Sequence, residues 1–323
     1  MHAPKVTVII PTYNRARYLG EAIRSVLDQE ISDLELIVVD DGSTEATPRL
    51  LRAITDPRMR CISQPNRGIS AAMNAGMRAA RGEFVARLDS DDLWMPDMLL
   101  TLVGILETRP EIGVACAKGQ AVNSNGDLRG EVWGLPEHFP GDALRSLAYD
   151  DCTCTIALVA RRSCFDYTGL YDESLIANED WDMCLRLARH FRFCFVETVL
   201  AHVRLHDDNF TGLRSSRFAD VLDTRTAPLD RLFSDPDLPL AVHAMKAAAY
   251  ANVYLFRGQR WLQGGDVNRA WREFRLAIHV SNQRLLTATR AIWLALIVPS
   301  LKRSPLGQRA INAQAAWRRR RRT

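Results

Sequence analysis

Four short apolar runs between Val6 and Leu88 constrain the fold most, because each runs into a polar cluster and most are followed by a helical pattern. VTVII (6–10) is β-rich and unbroken, as a strand buried on both faces is. It leads into PTYN, where Asn14 reads as a helix cap, and then into Leu19, Ala22, Ile23, Val26 and Leu27 at helical spacing. LELIVV (34–39) runs into DDGST, and Thr47 with Pro48 then reads as an N-cap and first helical residue. CISQPN is a short third strand leaving into a loop. GISAAMNAGMRAARG is an Ala-rich helix closed by Gly82, and EFVARL is a fourth strand ending in DSDD. This alternation predicts an α/β fold with a parallel, doubly wound sheet and helices on both faces. Ligands of such sheets gather beyond the carboxyl ends of the strands, so PTYN, DDGS, QPNRG and DSDD are expected on one rim.

The chemistry is densest in FVARLDSDDLWMPD (84–97). Asp89, Asp91 and Asp92 repel one another unless a cation or hydrogen-bond donors offset the charge. A hard divalent ion with a bound diphosphate supplies that offset. In an extended segment Asp89 and Asp91 point the same way. The other reading is a solvated acidic turn, with Asp92 capping the next helix. In DDGS, Asp40 or Asp41 can accept from a base N–H or from ribose hydroxyls, and Gly42 permits close approach of the backbone. A turn with Asp as cap is again the alternative. PTYN offers the Thr12 hydroxyl and the Tyr13 ring for stacking on a base.

Beyond Trp94 the signals mix. MPDMLLTLVGILETRP reads as a helix, GVACAKGQAV and TCTIALVARR as strands, ANEDWDMCLRLARH as a helix, and RFCFVETVLAHVRLH as one or two strands. From about 215 the chain is helical, broken at FSDPDLP (233–239). The stretch 249–280 has the look of one tetratricopeptide-like hairpin, and an ordinary αα-hairpin fits it better, since one copy makes no solenoid.

Charge separates the function classes. The formal balance is +4, but five cations form the run Arg318–Arg322, and without them it is −1. The basic character belongs to a tail, which speaks against a nucleic-acid surface. Seven cysteines in odd number, without CxxC spacing, argue against a disulfide framework or zinc site and for a reducing compartment. No signal-peptide pattern opens the chain, and AIWLALIV (291–298) is too short to span a bilayer. A cytoplasmic protein is expected.

Taken together, VTVIIPTYNRARYLGEAIRSVLDQ, LELIVVDDGST, QPNRGISAAMNAGMRAARGEFVARLDSDD and NEDWDMCLRL resemble the family 2 glycosyltransferases over roughly residues 5–210. The resemblance implies a GT-A nucleotide-diphospho-sugar transferase fold, Rossmann-like, with a mostly parallel central sheet and here a helical C-terminal extension. It implies transfer of a sugar from a nucleotide diphosphate, usually UDP, onto a glycan or lipid-linked acceptor hydroxyl with inversion. Mn²⁺ or Mg²⁺ typically bridges the diphosphate in that family. By the same resemblance Pro11, Thr12 and Tyr13 line the base pocket. Asp40 and Asp41 form the acidic pair at base and ribose, with Asp41 the more direct. Asn66, Gly68 and Asn74 approach the nucleotide or donor sugar, and Ser90 joins them. Asp89 and Asp91 form the DxD, with Asp91 the direct metal ligand. Asp180 is the general base, its neighbours Glu179 and Asp182 raising its proton affinity.

The expected division is a nucleotide-sugar half over 1–100, an acceptor half over 101–214, and a helical extension with its basic tail over 215–323. His206, in VRLHDDN, is a candidate third ligand or phosphate contact, with Arg204 a weaker partner for the diphosphate. The apolar stretch and WRRRRR leave two readings open, a peripheral contact with anionic lipid at the inner membrane face, or a core helix with a tail. A nucleotide-sugar-binding protein without turnover is the alternative function. A Rossmann oxidoreductase would want GxGxxG where PTYNRA stands, and no QxxRW run marks a processive synthase.

Overall fold

The first strand signal becomes the inner strand of a mixed sheet. The computed structural model describes residues 3–134, 139–209, 212–213 and 215–297. Numbered in chain order, the strands are β1 (Val6–Thr12), β2 (Leu34–Asp40), β3 (Met59–Ser63), β4 (Phe84–Arg87) and β5 (Leu93–Trp94). They continue with β6 (Ile112–Asn123), β7 (Leu128–Trp133), β8 (Leu158–Arg161) and β9 (Arg192–Leu205). The spatial order is β3-β2-β1-β4-β8-β6-β9-β5, with β7 hairpinned onto β6. The first four strands pair in parallel, and Thr12 of β1 stands beside Asp40 of β2. β8 then enters antiparallel between β4 and β6, and β9 returns parallel to β6. The sheet is therefore parallel from β3 to β4 and mixed beyond β4.

Sequence explains the layering. β1, β2 and β4 are buried throughout, which is why they read as unbroken apolar runs. β3, at the edge, has no fully buried residue and exposes Arg60, Cys61 and Ser63. Helices α1 (Ala16–Leu27), α2 (Thr47–Ala53), α3 (Ile69–Ala79) and α4 (Met98–Thr108) follow the parallel strands and the acidic loop. α1 buries Leu19, Ala22, Ile23 and Val26, and α4 buries Leu99, Leu102, Val103 and Leu106 against one core with the sheet. Each buried Leu, Ile or Val among them contributes about 1.5–3 kcal/mol. α6 (Arg162–Thr168) packs on β8 and on α7 (Glu179–His190), which also packs against α5 (Ala143–Tyr149). TCTIALVARR splits into a 3-10 turn over Thr155–Ala157 and β8, while RFCFVETVLAHVRL is one long strand, β9.

Two helix starts differ from expectation. Asn14 does not cap α1: it takes a positive φ of 52°, and the helix opens behind Arg15 with the Ala16 N–H donating 2.8 Å to Glu45 Oε1. Thr47 is a helical residue rather than a cap, and its hydroxyl donates 2.6 Å to Glu45 Oε1. Both hydroxyl and amide donors are drawn to one carboxylate that short-range reading does not pair with them. α3 ends at Ala79, and Gly82 lies beyond it, its N–H donating 2.8 Å to Thr7 Oγ1.

The chain divides into two compact units, 1–243 and 244–323. The helices α8 (Phe218–Asp223), α9 (Ala227–Phe233) and α10 (Leu240–His243) belong to the first. In the second, α11 (Lys246–Gln263) and α12 (Val267–Val280) form a hairpin, followed by α13 (Arg284–Ile292) and a π-helical turn over Trp293–Ile297. The hairpin closes tightly because Gly258 faces the Phe274 ring, where a Cβ would come within 2.4 Å. Among the described residues no helix is long and apolar enough to cross a membrane. The end of AIWLALIV and the run Arg318–Arg322 lie outside the described residues.

Candidate active site

The tips of β1 and β2 are sewn together by loop hydrogen bonds. The Asp41 N–H donates to Thr12 O at 2.9 Å, and Asn14 N–H to Ser43 Oγ at 2.9 Å. Asp40 Oδ1 accepts from Ser43 N–H at 2.9 Å. Asp41 uses both oxygens: Oδ1 accepts from Gln64 Nε2 at 2.7 Å and Arg67 N at 3.0 Å, and Oδ2 from Gly68 N at 2.8 Å. It thereby folds the loop after β3 over the strand tips. Gly42, with φ 81°, lies beneath that loop, and a Cβ there would meet Asn66 N at 2.8 Å. Tyr13 is 44% exposed and Asn66 is exposed, while the buried Thr12 hydroxyl has no hydrogen-bond partner. Asn74 is a clamp: Nδ2 donates to Tyr171 O and Glu173 Oε1, both at 2.9 Å, and Oδ1 accepts from Tyr171 N at 2.9 Å.

The three acids of the opening cluster have separate partners. Asp89 accepts from Arg87 Nε at 2.7 Å. Asp91 Oδ2 lies 3.1 Å from His206 Nε2 and 3.4 Å from Arg15 Nε. Asp92, buried, accepts 2.7 Å from the Arg204 backbone N–H and does not cap a helix. Burial pushes all three carboxyls up. At Asp91 the His206 hydrogen bond and the Arg15 charge outweigh burial, and its carboxyl sits below the usual range. Asp92, flanked by two other acids, is pushed well above it.

Arg204 is not available to a phosphate. It is buried and donates to Asp91 O at 3.0 Å, Ser124 O at 3.1 Å and Glu21 Oε2 at 2.6 Å, with its charge over the Tyr18 ring. The cation at the rim is instead Arg15, directly after PTYN, whose position beside Asp91 depends on a contact with distant Asp208 O at 2.9 Å. His206 stacks on Tyr18 at 4.6 Å between centroids, and its Nδ1 accepts from Asp208 N–H at 3.2 Å.

These donors can be tested against Mn²⁺ or Mg²⁺. Among the described residues no three His, Cys, Asp or Glu side chains gather into a metal-binding group. Such ions nevertheless bind through one or two protein carboxylates completed by phosphate oxygens and water. The ionised Asp91 carboxylate at the rim fits that role. His206 fits as a ligand through Nε2 only in the tautomer that gives up the Asp208 contact. Asp89, turned to Arg87, is a supporting residue in this arrangement.

The base candidate stands at the start of α7, where Asn178 adopts φ 61°. Asp180 Oδ2 accepts from Thr155 Oγ1 at 3.2 Å, and Oδ1 from Trp181 N–H at 2.8 Å. Asp182 plays a different part from the one expected. Arg186 and Arg231 hold it in ion pairs at 2.9 and 2.8 Å. Glu179 does bear on the site: burial and the Asp180 charge push its carboxyl to about 7, against the pull of Arg87. Arg87 reaches Glu179 Oε1 at 3.1 Å and Asp89 at 2.7 Å, so one buried guanidinium joins the acidic loop to the base helix. Asp180, Arg87, Thr155 and Tyr171 share the wall of a cavity of about 20 Å³, room for about one water. Asp151, unremarked in the sequence, lies near by: burial first, and the Asp180 charge, push it to about 7 despite Arg225 at 3.5 Å.

A parallel half-sheet with polar tips, an acidic loop after β4 and an acidic helix start across from it define the GT-A class of sugar-nucleotide transferase fold. The fold matches TarS 1-349 of S. aureus in complex with UDP-GlcNAc at TM-score 0.66 and 18% identity, over 90% of each chain. It also matches the mannosyltransferase PcManGT of Pyrobaculum calidifontis, in complex with GDP-Man and Mn²⁺, at TM-score 0.60 and 21% identity, over 97% of this chain and 85% of that one. A glycosyl transferase family 2 model matches residues 7–167. An uncharacterized glycosyltransferase of Rickettsia typhi is 31% identical over 65% of this chain and 67% of its own length. The chain belongs to glycosyl transferase family 2. Chondroitin synthase of Escherichia coli is 32% identical over 208 residues, 64% of this chain, and this chain spans only 30% of that protein's length.

Proposed function

We propose that the protein is an inverting glycosyltransferase that moves a sugar from a nucleoside diphosphate to an acceptor hydroxyl in the assembly of a polysaccharide or glycolipid. The observation that carries this reading is the ionised Asp91 at the tip after β4, faced by His206 and Arg15, and linked through Asp89, Arg87 and Glu179 to Asp180. The donor is a UDP-sugar, a choice supported by the TarS neighbour's complex with UDP-GlcNAc. Its base lies on Tyr13, near Pro11 and the unpartnered Thr12 hydroxyl, with Asp40 at the ribose side. Asp41, Gly68 and Asn74 hold the loops that border the donor, with Asn66 and Ser90 at its edge.

Asp91 would hold Mn²⁺ or Mg²⁺, with His206 as its second protein donor. Such an ion, when bound, supplies positive charge to the leaving diphosphate. Arg15 adds a fixed cation on the same side. Asp180 accepts the acceptor hydroxyl proton as that oxygen attacks the anomeric carbon, a role suited to a carboxylate held by Thr155 and the Trp181 N–H. In this reading residues 1–100 bind the donor, 101–214 face the acceptor, and the protein works in the cytoplasm. A donor-binding protein without turnover is the second reading. It leaves Asp180, held at a cavity wall by Thr155 and the Trp181 N–H, without a role.

The test is the anomeric configuration of the product. With the preferred UDP-sugar and a hydroxyl acceptor, NMR of the product shows the linkage inverted relative to the donor. A retained linkage contradicts the single displacement, and donor binding without product favours the silent reading.

A further inference from the structure

Charge along this chain is split between its two units. Residues 244–323 hold 16 lysines and arginines against 2 acids, a net +14, while residues 1–243 hold 26 against 36, a net −10. The whole-chain balance of +4 conceals this separation. So large a local excess is an electrostatic footprint for an anionic partner.

Within the basic unit, α13 turns apolar side chains outward. Leu285 is 87% exposed, Leu286 59%, and Ile292 and Trp293 49% and 42%. At 100° per residue these positions fall on one side of the helix. Thr287 and Ala291 lie on the opposite side and are buried, Thr287 donating 2.8 Å to Ser281 Oγ. Arg290, exposed, borders the apolar side, and Arg284, also exposed, stands at the first residue of the helix. Soluble surfaces seldom place four large apolar residues together in this way.

We infer that this face of α13 docks on a bilayer surface that contains anionic phospholipid. The apolar side chains enter the headgroup and acyl boundary, Trp293 sits at the interface, and Arg290 meets the lipid phosphates. Charge selects this occupant. A second copy of the same face brings +14 against +14. A nucleic acid satisfies the arginines but leaves two leucines, an isoleucine and a tryptophan facing phosphate and water. The inference does not rest on the glycosyltransferase reading, because lipid binding is read without turnover.

The test uses the full chain in sedimentation with vesicles of phosphatidylcholine alone and of phosphatidylcholine with phosphatidylglycerol, at low and high salt. Binding to the anionic vesicles is expected, with partition at least about tenfold weaker on neutral vesicles and in high salt. The double variant L285S/L286S loses at least about tenfold on the anionic vesicles while keeping the wild-type melting profile. Ile292→Ser, on the same face, is read in its place if the double variant does not fold. No partition of the wild type, or wild-type partition by folded variants, overturns the inference. So does an oligomer that L285S/L286S converts to monomer, or an oligonucleotide complex, without vesicle binding.

Discussion

Arg87 and Glu179 form a buried ion pair at 3.1 Å, joining the strand before the acidic loop to the first residue of the helix that carries Asp180. Because Arg87 also holds the half-buried Asp89 at 2.7 Å, its removal leaves buried Glu179 and Asp89 without their cation. Arg87→Met is expected to cost about 3–5 kcal/mol in urea denaturation. Adding Glu179→Gln to it restores part of that loss. Unchanged stability in Arg87→Met contradicts the bridge.

Glu179 also gives stability a pH dependence. Its folded carboxyl titrates at about 7, raised first by burial and then by Asp180. The fold favours its protonated form, so this contribution is complete below the ordinary glutamate value and is lost as pH rises through about 7. Urea midpoints of the wild type should fall from mildly acidic to mildly alkaline pH, relative to a flatter profile for Glu179→Gln.

Glu35 works with the opposite sign. Burial raises its carboxyl, but hydrogen bonds from Thr7, Arg81 and Arg60 outweigh burial and hold it below its ordinary 4.5. Its contribution is therefore complete above that value and lost as pH falls through the lower folded one. Glu35→Gln should lower stability at neutral pH by about 1–3 kcal/mol and flatten the acid limb of the urea midpoints.

Asp180→Asn removes the proposed proton acceptor while keeping the shape and the Thr155 contact. The expected result is a loss of about 10²–10⁴ in kcat with little change in donor KM. A large rise in donor KM with kcat intact assigns Asp180 to donor binding instead.

The parallel half of the sheet was legible because strands buried on both faces announce themselves as unbroken apolar runs, and their polar tips fall at one rim by topology. The same runs pointed to Thr12, Asp40 and Asp91 at that rim, whereas Asp180 followed only from the resemblance carried by NEDWDMCLRL. Contacts made across long chain separations were not legible. Arg15 reaches Asp91, Arg204 turns inward to Glu21, and Asp182 turns to Arg231, each through partners far along the chain. Asn14 and Thr47 have the composition of caps, but Glu45 gathers the donors of both loops. β8 entering antiparallel beside β4 depends on packing of the mixed half, for which TCTIALVARR carries only a strand signal. Asn74 looked like a ligand contact and is committed to Tyr171 and Glu173.

The most direct measurement is UDP release from a panel of UDP-sugars, with and without Mn²⁺, by the wild type and Asp91→Ala. Mn²⁺-dependent release from one preferred donor is expected, reduced about 10²-fold or more in Asp91→Ala. Equal release by the two proteins, or a wild type that neither binds nor turns over any UDP-sugar, contradicts it.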